Sequence, residues 1–384
     1  MVKKDGKLVG TGGLDDEALA AIEAKYAKQG ADVAEKQLCQ ELEDSFNACL
    51  QQPSDIATHL PWVPHIQTHV QGAFYSLFSG DSSHMRTSLI APIVTFLLRC
   101  AQDHPTTQIV GAQGTDTADV AILPLLDAFL FDTALLPILF TGANRSHTEW
   151  NSDAPKNFSD LFQLAGAHLP AGSYWVFGSH LYRASDMLKI DPTESRRIEN
   201  FTTFFAPRLT SRYAKKAIGE NALFAPPSVD ALPKNHALHA LSTEKLYDAL
   251  DAIDIVDLGN LNPVQEDMQR IIDPSKKAVI IAAFALGNAS NLIKKAALEA
   301  TRKGKIVVIV DKSLLGVVSE RYEAGLIGLN RRSLANSKHA LISGQRMSKA
   351  TARAVVSRAL VEGLDQPQTQ ELIIRYCESR QLLE

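Results

Sequence analysis

Cysteine is scarce in this chain, and its few copies show no pairing pattern. Cys39, Cys49, Cys100 and Cys377 contain no CxxC motif and are too few to staple 384 residues. This excludes a disulfide scaffold and predicts reduced thiols in a cytoplasmic protein. Long apolar runs are missing as well. No segment reaches the roughly 18 consecutive apolar residues of a membrane span. The opening "MVKKDGKLVGTGG" has a basic start but no apolar stretch behind it, so no secretory leader is expected. Nor is there an excess of positive charge. The net charge of -4 gives no reason to expect nucleic acid or an acidic membrane surface as partner, and a small-molecule ligand is the better expectation.

What is present is a foldable composition, 45% hydrophobic and 21% charged. A chain of this length exceeds what one hydrophobic core usually fills, so two domains are expected. From about 86 to 180 the apolar runs alternate between strand and helix lengths, the signature of an α/β layer with parallel strands. "TQIVGA" (107–112), "LPILFTGA" (136–143) and "SYWVFG" (173–178) read as strands. "ADVAILPLLDAFLF" (118–131) and "NFSDLFQLAGAH" (157–168) read as helices between them. "KKAVIIAAFALGNAS" (276–290), "NLIKKAALEATRKG" (291–304) and "KIVVIVDKS" (305–313) form a second β-α-β run, and two helices close the chain. The expected fold is therefore α/β, a larger N-terminal doubly wound sheet domain with a smaller C-terminal parallel α/β domain. The expected boundaries are a helical N-terminal segment over 1–64, an N-terminal domain over 65–213, a proline-rich linker over 214–249 and a C-terminal domain over 250–384. The alanine- and glutamate-rich stretch before residue 50 is expected to form one or two exposed amphipathic helices.

Ligands of open parallel sheets sit beyond the carboxyl ends of strands, which directs attention to "VGAQGTDTADVA" (110–121). Thr115 and Asp116 follow a strand and precede a helix. A hydroxyl and a carboxylate there can cap the helix and complement its dipole, or they can form a catalytic pair. Residue chemistry alone leaves both open. His65 and His69 have the i, i+4 spacing of two metal ligands but no glutamate between them and no third ligand nearby, and His236 and His239 are no better. No metal is expected. "GTGG" fails the GxGxxG fingerprint, so no dinucleotide cofactor is expected either.

Several stretches in order resemble the bacterial-type L-asparaginase and glutaminase family, its cytosolic type in particular. "GTDT" (114–117) matches the family's second signature, and "GDSSHM" (80–85) is similar to its serine loop. "PILFTGANRS" (137–146) with "SDAPKNFSDL" (152–161), "GSHLYRASDMLK" (178–189), "FALGNAS" (284–290) and "RYEAGLIGLN" (321–330) match later segments. The resemblance implies hydrolysis of a side-chain amide of asparagine or a related amide, with no cofactor. It implies an inner triad of Thr115, Asp116 and Lys189. It also implies a substrate site formed by Ser82, Ser83, Gly114, Gly142 and Ala143, and a homodimer or homotetramer in which Asn288 reaches a neighbouring subunit's site. A desolvated lysine amine can act as base toward a threonine hydroxyl, while the carboxylate holds a substrate ammonium or orients the lysine.

The chain departs from the family at the first signature, Thr-Gly-Gly-Thr, whose second threonine attacks the amide. "LVGTGGLDD" (8–16) puts Leu14 there, and leucine has no nucleophile. Tyr26 falls near the offset of the family's activating tyrosine, but within an amphipathic helical pattern. Gln113 stands for the histidine usual before the signature, and His84 for the aspartate usual in the serine loop. Three explanations stay open: a ligand-binding homologue without covalent catalysis, attack by Thr115 itself, or another hydroxyl such as Thr11 near the site.

Overall fold

Every residue of Ile138–Thr141 and of Ser173–Phe177 is buried, as in strands covered on both faces. They are the inner strands of one sheet in a computed structural model that describes residues 2–4, 7–9, 15–28, 30–49, 54–63, 72–78, 82, 85–165, 169–185, 187–189, 204–205, 238–239, 241–259, 264–313, 316–319, 322–335 and 339–380. The chain divides into two units, Met1–Leu238 with Ser242–Tyr247, and His239–Leu241 with Asp248–Glu384. Most of the expected linker lies outside the described residues, and its final part from Thr243 onward is helical.

The first unit opens with a small antiparallel pair, β1 (Val2–Lys4) and β2 (Lys7–Val9). Helices α1 (Asp16–Tyr26) and α2 (Ala31–Cys49) follow. Next come β3 (Ser54–Asp55), α3 (Ile56–His59), β4 (Ala73–Phe74) and the long helix α4 (Thr87–Asp103). The main sheet contains β5 (Val110–Ala112), β6 (Ile138–Thr141), β7 (Ser173–Phe177) and β8 (His180–Arg183), in that order. β5, β6 and β7 run parallel, and β8 returns antiparallel to β7. That hairpin turns on Gly178 and Ser179, with φ of 57° and 65°, the positive φ pair that a tight two-residue connection requires.

Helices cover both faces of this sheet. α6 (Ala154–Leu164) lays Leu161 and Leu164 on Leu139, Tyr174 and Val176. α5 (Ile122–Leu130) packs on the other side, where Ser173 Oγ donates to the Leu123 carbonyl at 2.6 Å and the Ser173 amide donates to Asp127 at 3.1 Å. The fold class is the one expected from the alternation of runs.

The N-terminal helices differ from expectation. They are amphipathic, but α2 is not an exposed accessory. Its Leu38, Cys39, Leu42 and Phe46 are buried, and it packs along α4. Phe46 meets Phe96 edge to face at 6.0 Å, Cys39 Sγ contacts the Ser88 carbonyl at 3.2 Å, and Arg99 donates to Glu43 at 2.9 Å. Full burial of one such apolar side chain stabilises by roughly 1.5–3 kcal/mol. α4 is apolar around most of its circumference, so it needs a second covering layer, and α2 supplies it.

α7 (Thr243–Asp251) begins in the first unit and ends in the second, whose four-stranded sheet contains β11 (Ile253–Asp257), β12 (Ala278–Ala283), β13 (Ile306–Asp311) and β14 (Ile342–Ser343). These follow β9 (Leu188–Lys189) and β10 (Phe204–Phe205), a short antiparallel pair of the first unit. All four strands are parallel. α8 (Val264–Ile272) and α9 (Asn291–Arg302) cover one face. After the short α10 (Leu329–Ser333), α11 (Lys349–Glu362) packs on β11, β12 and β13, with α12 (Gln366–Arg380) against it. Local sequence dictates the helix ends. Ser290 caps α9 through the Ile293 amide, Ser348 caps α11 through the Thr351 amide, and Gly363 stops α11 at φ 72°.

Candidate functional site

The turn after β5 brings the polar residues together. Gly114 leaves the strand extended, at φ -61° and ψ 148°, and Thr115–Thr117 form one tight helical turn before α5 begins at Ile122. The Gln113 amide continues the β5–β6 pairing by donating to the Thr141 carbonyl at 3.0 Å. Thr115 and Asp116 therefore stand just past the carboxyl end of a parallel strand, where side chains escape the layered core. Thr115 is buried, whereas the Asp116 side chain is 62% exposed.

Lys189 reaches this turn from 74 residues downstream. Its Nζ donates to Thr115 Oγ1 at 2.9 Å and to Asp116 Oδ1 at 2.5 Å, and its side chain is only 12% exposed. A second anchor acts on its backbone: the Lys189 amide donates to Asp119 Oδ2 at 2.9 Å. One short turn thus holds the lysine at both ends, main chain by Asp119 and ammonium by Thr115 and Asp116. Burial pushes the Asp119 carboxyl above its ordinary value, opposed by the hydrogen bond from the Lys189 amide. The sequence pattern places Asp119 simply within the following helix. The signal that could have found it is an acidic residue inside an otherwise apolar helix start.

Ser82 completes the group. It is buried, and its hydroxyl lies against the α-carbon of Gly114, so close that a methyl added there would sit 2.1 Å from Ser82 Oγ. Gly114 is glycine because of this contact and not because of its dihedrals. Gly142 lies at the neighbouring strand end, where an added methyl would meet the Gln113 carbonyl at 2.5 Å and the Trp175 ring at 2.7 Å. Ala143 follows it, partly exposed.

Asn157 is a site residue with no distinctive sequence signal of its own. Buried on α6, it donates to the Gly142 carbonyl at 2.9 Å and to Asp153 at 3.2 Å, and accepts from the Gly178 amide at 3.0 Å. It ties the ends of β6 and β7 together. Asp153 in turn accepts from the Asn144 and Arg145 amides, at 3.1 Å each.

Of the expected site residues, Ser82, Gly114, Thr115, Asp116 and Lys189 come together, with Gly142 and Ala143 on the adjacent strand end. Asn288 belongs to the second unit. It lies just beyond the carboxyl end of β12, its Oδ1 accepting from the Ala289 amide at 2.9 Å. Ser83, His84, Thr11, Leu14, His65, His69 and His236 lie outside the described residues. The Tyr26 hydroxyl donates to Glu41, which also pairs with Lys25, so this tyrosine belongs to the α1–α2 contact. Among the described residues no group of three or more His, Cys, Asp or Glu is placed to hold a metal ion, and no helix is long and apolar enough to cross a membrane.

Comparison with known proteins gives a family. The model for the N-terminal asparaginase domain matches residues 38–218, and the model for the glutaminase/asparaginase C-terminal domain matches residues 263–373. The chain belongs to the asparaginase family. Together the two asparaginase models span well over half of the 384 residues. The N-terminal match begins inside α2, in keeping with the packing of that helix on α4. Among solved structures the chain is similar to L-asparaginase I from Vibrio cholerae, with 18% identity and a TM-score of 0.54 over 77% of this chain and 84% of that one. At that identity the likeness concerns the asparaginase fold. No curated protein sequence matches the chain.

Proposed function

We propose that the chain is an asparaginase-like amidohydrolase, cleaving the side-chain amide of asparagine, or of a related amino-acid amide, to a carboxylate and ammonia. The observation that carries this reading is Lys189 Nζ held between Thr115 Oγ1 at 2.9 Å and Asp116 Oδ1 at 2.5 Å. In the proposed reaction the exposed Asp116 carboxylate takes the substrate's α-ammonium, and Ser82 with Ser83 takes its α-carboxylate. Lys189 then loses its counter-ion, which favours the neutral amine needed in a base. Thr115 Oγ bonds to the amide carbon as its proton passes to Lys189. That proton goes on to the leaving nitrogen, which departs as ammonia, and water hydrolyses the resulting ester. Backbone at Gly114, Gly142 and Ala143 lines the amide end. The protein acts without a cofactor, in the cytoplasm, as a homodimer or homotetramer in which Asn288 of one subunit completes the site of another.

A second reading, a homologue that binds amino acids as a sensor without turning them over, draws on two observations. Leu14 stands at the family's nucleophile position. In addition, an ammonium paired with Asp116 donates to Thr115 and cannot take its proton. Ammonia release from L-asparagine and L-glutamine separates the two readings, with Thr115→Ala and Lys189→Met beside the wild type. Release abolished by both substitutions supports the hydrolase. No release, with aspartate binding that Asp116→Ala destroys, supports the sensor and overturns the hydrolase.

A further inference from the structure

We propose that the amino edge of the second unit's sheet is a binding site for an organic anion with an apolar body. A cavity of about 1070 Å³ opens there, beside Ile306 at the start of β13 and Lys277 just before β12. Asn288 lies past the opposite end of β12, beyond six residues or about 20 Å of extended strand. The cavity is therefore separate from the surface that the proposed amidohydrolase uses. Its volume suits a ligand of drug or metabolite size.

The walls are amphipathic. Ile272, Ala300, Ile306, Leu360 and Leu364 supply an apolar floor. Lys276, Lys277, Lys303 and Lys305 lie around it together with Asp273 and Asp365. Both aspartates are engaged in local turns, Asp273 accepting from the Ser275 amide at 2.9 Å and Asp365 from the Gln368 amide at 3.0 Å. Lys276 is paired with Asp251, through its carbonyl at 2.7 Å and its carboxylate at 3.4 Å, and Lys303 with Glu299 at 2.6 Å. Lys277 is exposed and makes no ion pair among the described residues.

Lys305 gives the cavity its specificity. It is 8% exposed, and its Nζ donates to the carbonyls of Ile271 at 2.9 Å and Asp273 at 2.6 Å. An ammonium has three N–H donors, and the two carbonyls use two of them. Among the described residues no carboxylate forms an ion pair with it. Burial lowers its pKa below the ordinary value, opposed by the charges of Asp273 and Asp254. A buried cation fixed by two neutral carbonyls is costly without a counter-ion. An anionic head group would supply one, and the floor would take the ligand's apolar body. The back wall is built as well: the buried Gln366, first residue of α12, donates to the Thr301 carbonyl at 3.2 Å and pairs with His339 Nδ1 at 3.0 Å. The amino end of that 15-residue helix adds a favourable dipole.

The test uses 1-naphthoate and its neutral relative 1-naphthalenemethanol as calorimetric probes of the full chain. Naphthoate is expected to bind at least about tenfold more tightly than the alcohol, a gap that isolates the charge. Lys305→Met, similar in length and uncharged, should close that gap. Leu364→Glu, on the half-buried wall, should weaken naphthoate at least about tenfold and carries the test if Lys305→Met does not fold. Equal affinities for the two probes in wild type, no binding of either, or a naphthoate affinity unchanged in Leu364→Glu would overturn the proposal. None of these readings depends on turnover at Thr115.

Discussion

Replacing Gly114 by alanine tests the contact that joins Ser82 to the turn at Thr115 and Asp116. At φ -61° and ψ 148° alanine is conformationally free of strain, so any cost comes from space. The new methyl would lie 2.1 Å from Ser82 Oγ and 2.5 Å from Ser82 Cβ, against ordinary carbon contacts of about 3.5–4.0 Å. Rotating the serine hydroxyl away relieves the first clash. The second persists, because Cβ is placed by the backbone, and one of the two segments must withdraw by about 1 Å. Overpacking of this kind costs about 1–3 kcal/mol, offset by at most about 1 kcal/mol from the stiffer unfolded chain. Urea unfolding of Gly114→Ala, Ser82→Gly and the double variant measures it. Ser82→Gly removes both clashing atoms, so Gly114→Ala should be nearly neutral in that background, a coupling of about 1–3 kcal/mol. Aspartate affinity should fall in Gly114→Ala. Strictly additive effects would refute the reasoning, since they would mean that Ser82 and Gly114 do not touch.

Leu42→Ala, at a fully buried position of α2, should destabilise the first unit by about 2–5 kcal/mol in chemical denaturation, whereas an exposed accessory helix would lose well under 1 kcal/mol. Asp119 has its carboxyl raised by burial, so the folded state holds its proton longer than the unfolded state. Its stability contribution therefore declines as pH rises from about 4 through the folded pKa and then levels off. Unfolding curves of wild type and Asp119→Asn across that window should diverge in favour of the asparagine as pH rises, and a constant difference would contradict this. The Cys377 thiol is pushed up to about 12 by burial, leaving a thiolate fraction on the order of one in ten thousand at pH 8. Iodoacetamide followed by peptide mass spectrometry should find Cys377 unmodified in the native protein and modified in urea.

Much of the second unit was visible in its sequence because its buried strands are continuous apolar runs. "AVIIAA" and "IVVIVD" admit few other readings. β11 and α8 escaped notice. β11 mixes aspartates with its apolar residues, whereas α8 carries Val264, Met268, Ile271 and Ile272 at helical spacing, a period that its sequence makes legible. The N-terminal helices show the opposite limit. Their period was legible, but amphipathicity states which face is apolar and not what covers it. Only the packing of α2 on α4 turned an expected exposed helix into a core element.

Residue order by itself determined the alternation of strands and helices, the caps at Ser290 and Ser348, the stop at Gly363 and the placement of Thr115 and Asp116 past a strand end. Those are local properties, set by dihedral preference and by side chains a few positions apart. Family resemblance, and no local pattern, pointed to Lys189 beside Thr115; tertiary structure decided how it closes on Thr115 across 74 residues, that Asp119 holds its backbone and that Ser82 rests on Gly114. It also decided that Lys305 is buried beneath a cavity without a partner carboxylate among the described residues. Such meetings depend on how whole layers stack, and no periodicity along the chain encodes the distance between residues that packing brings together.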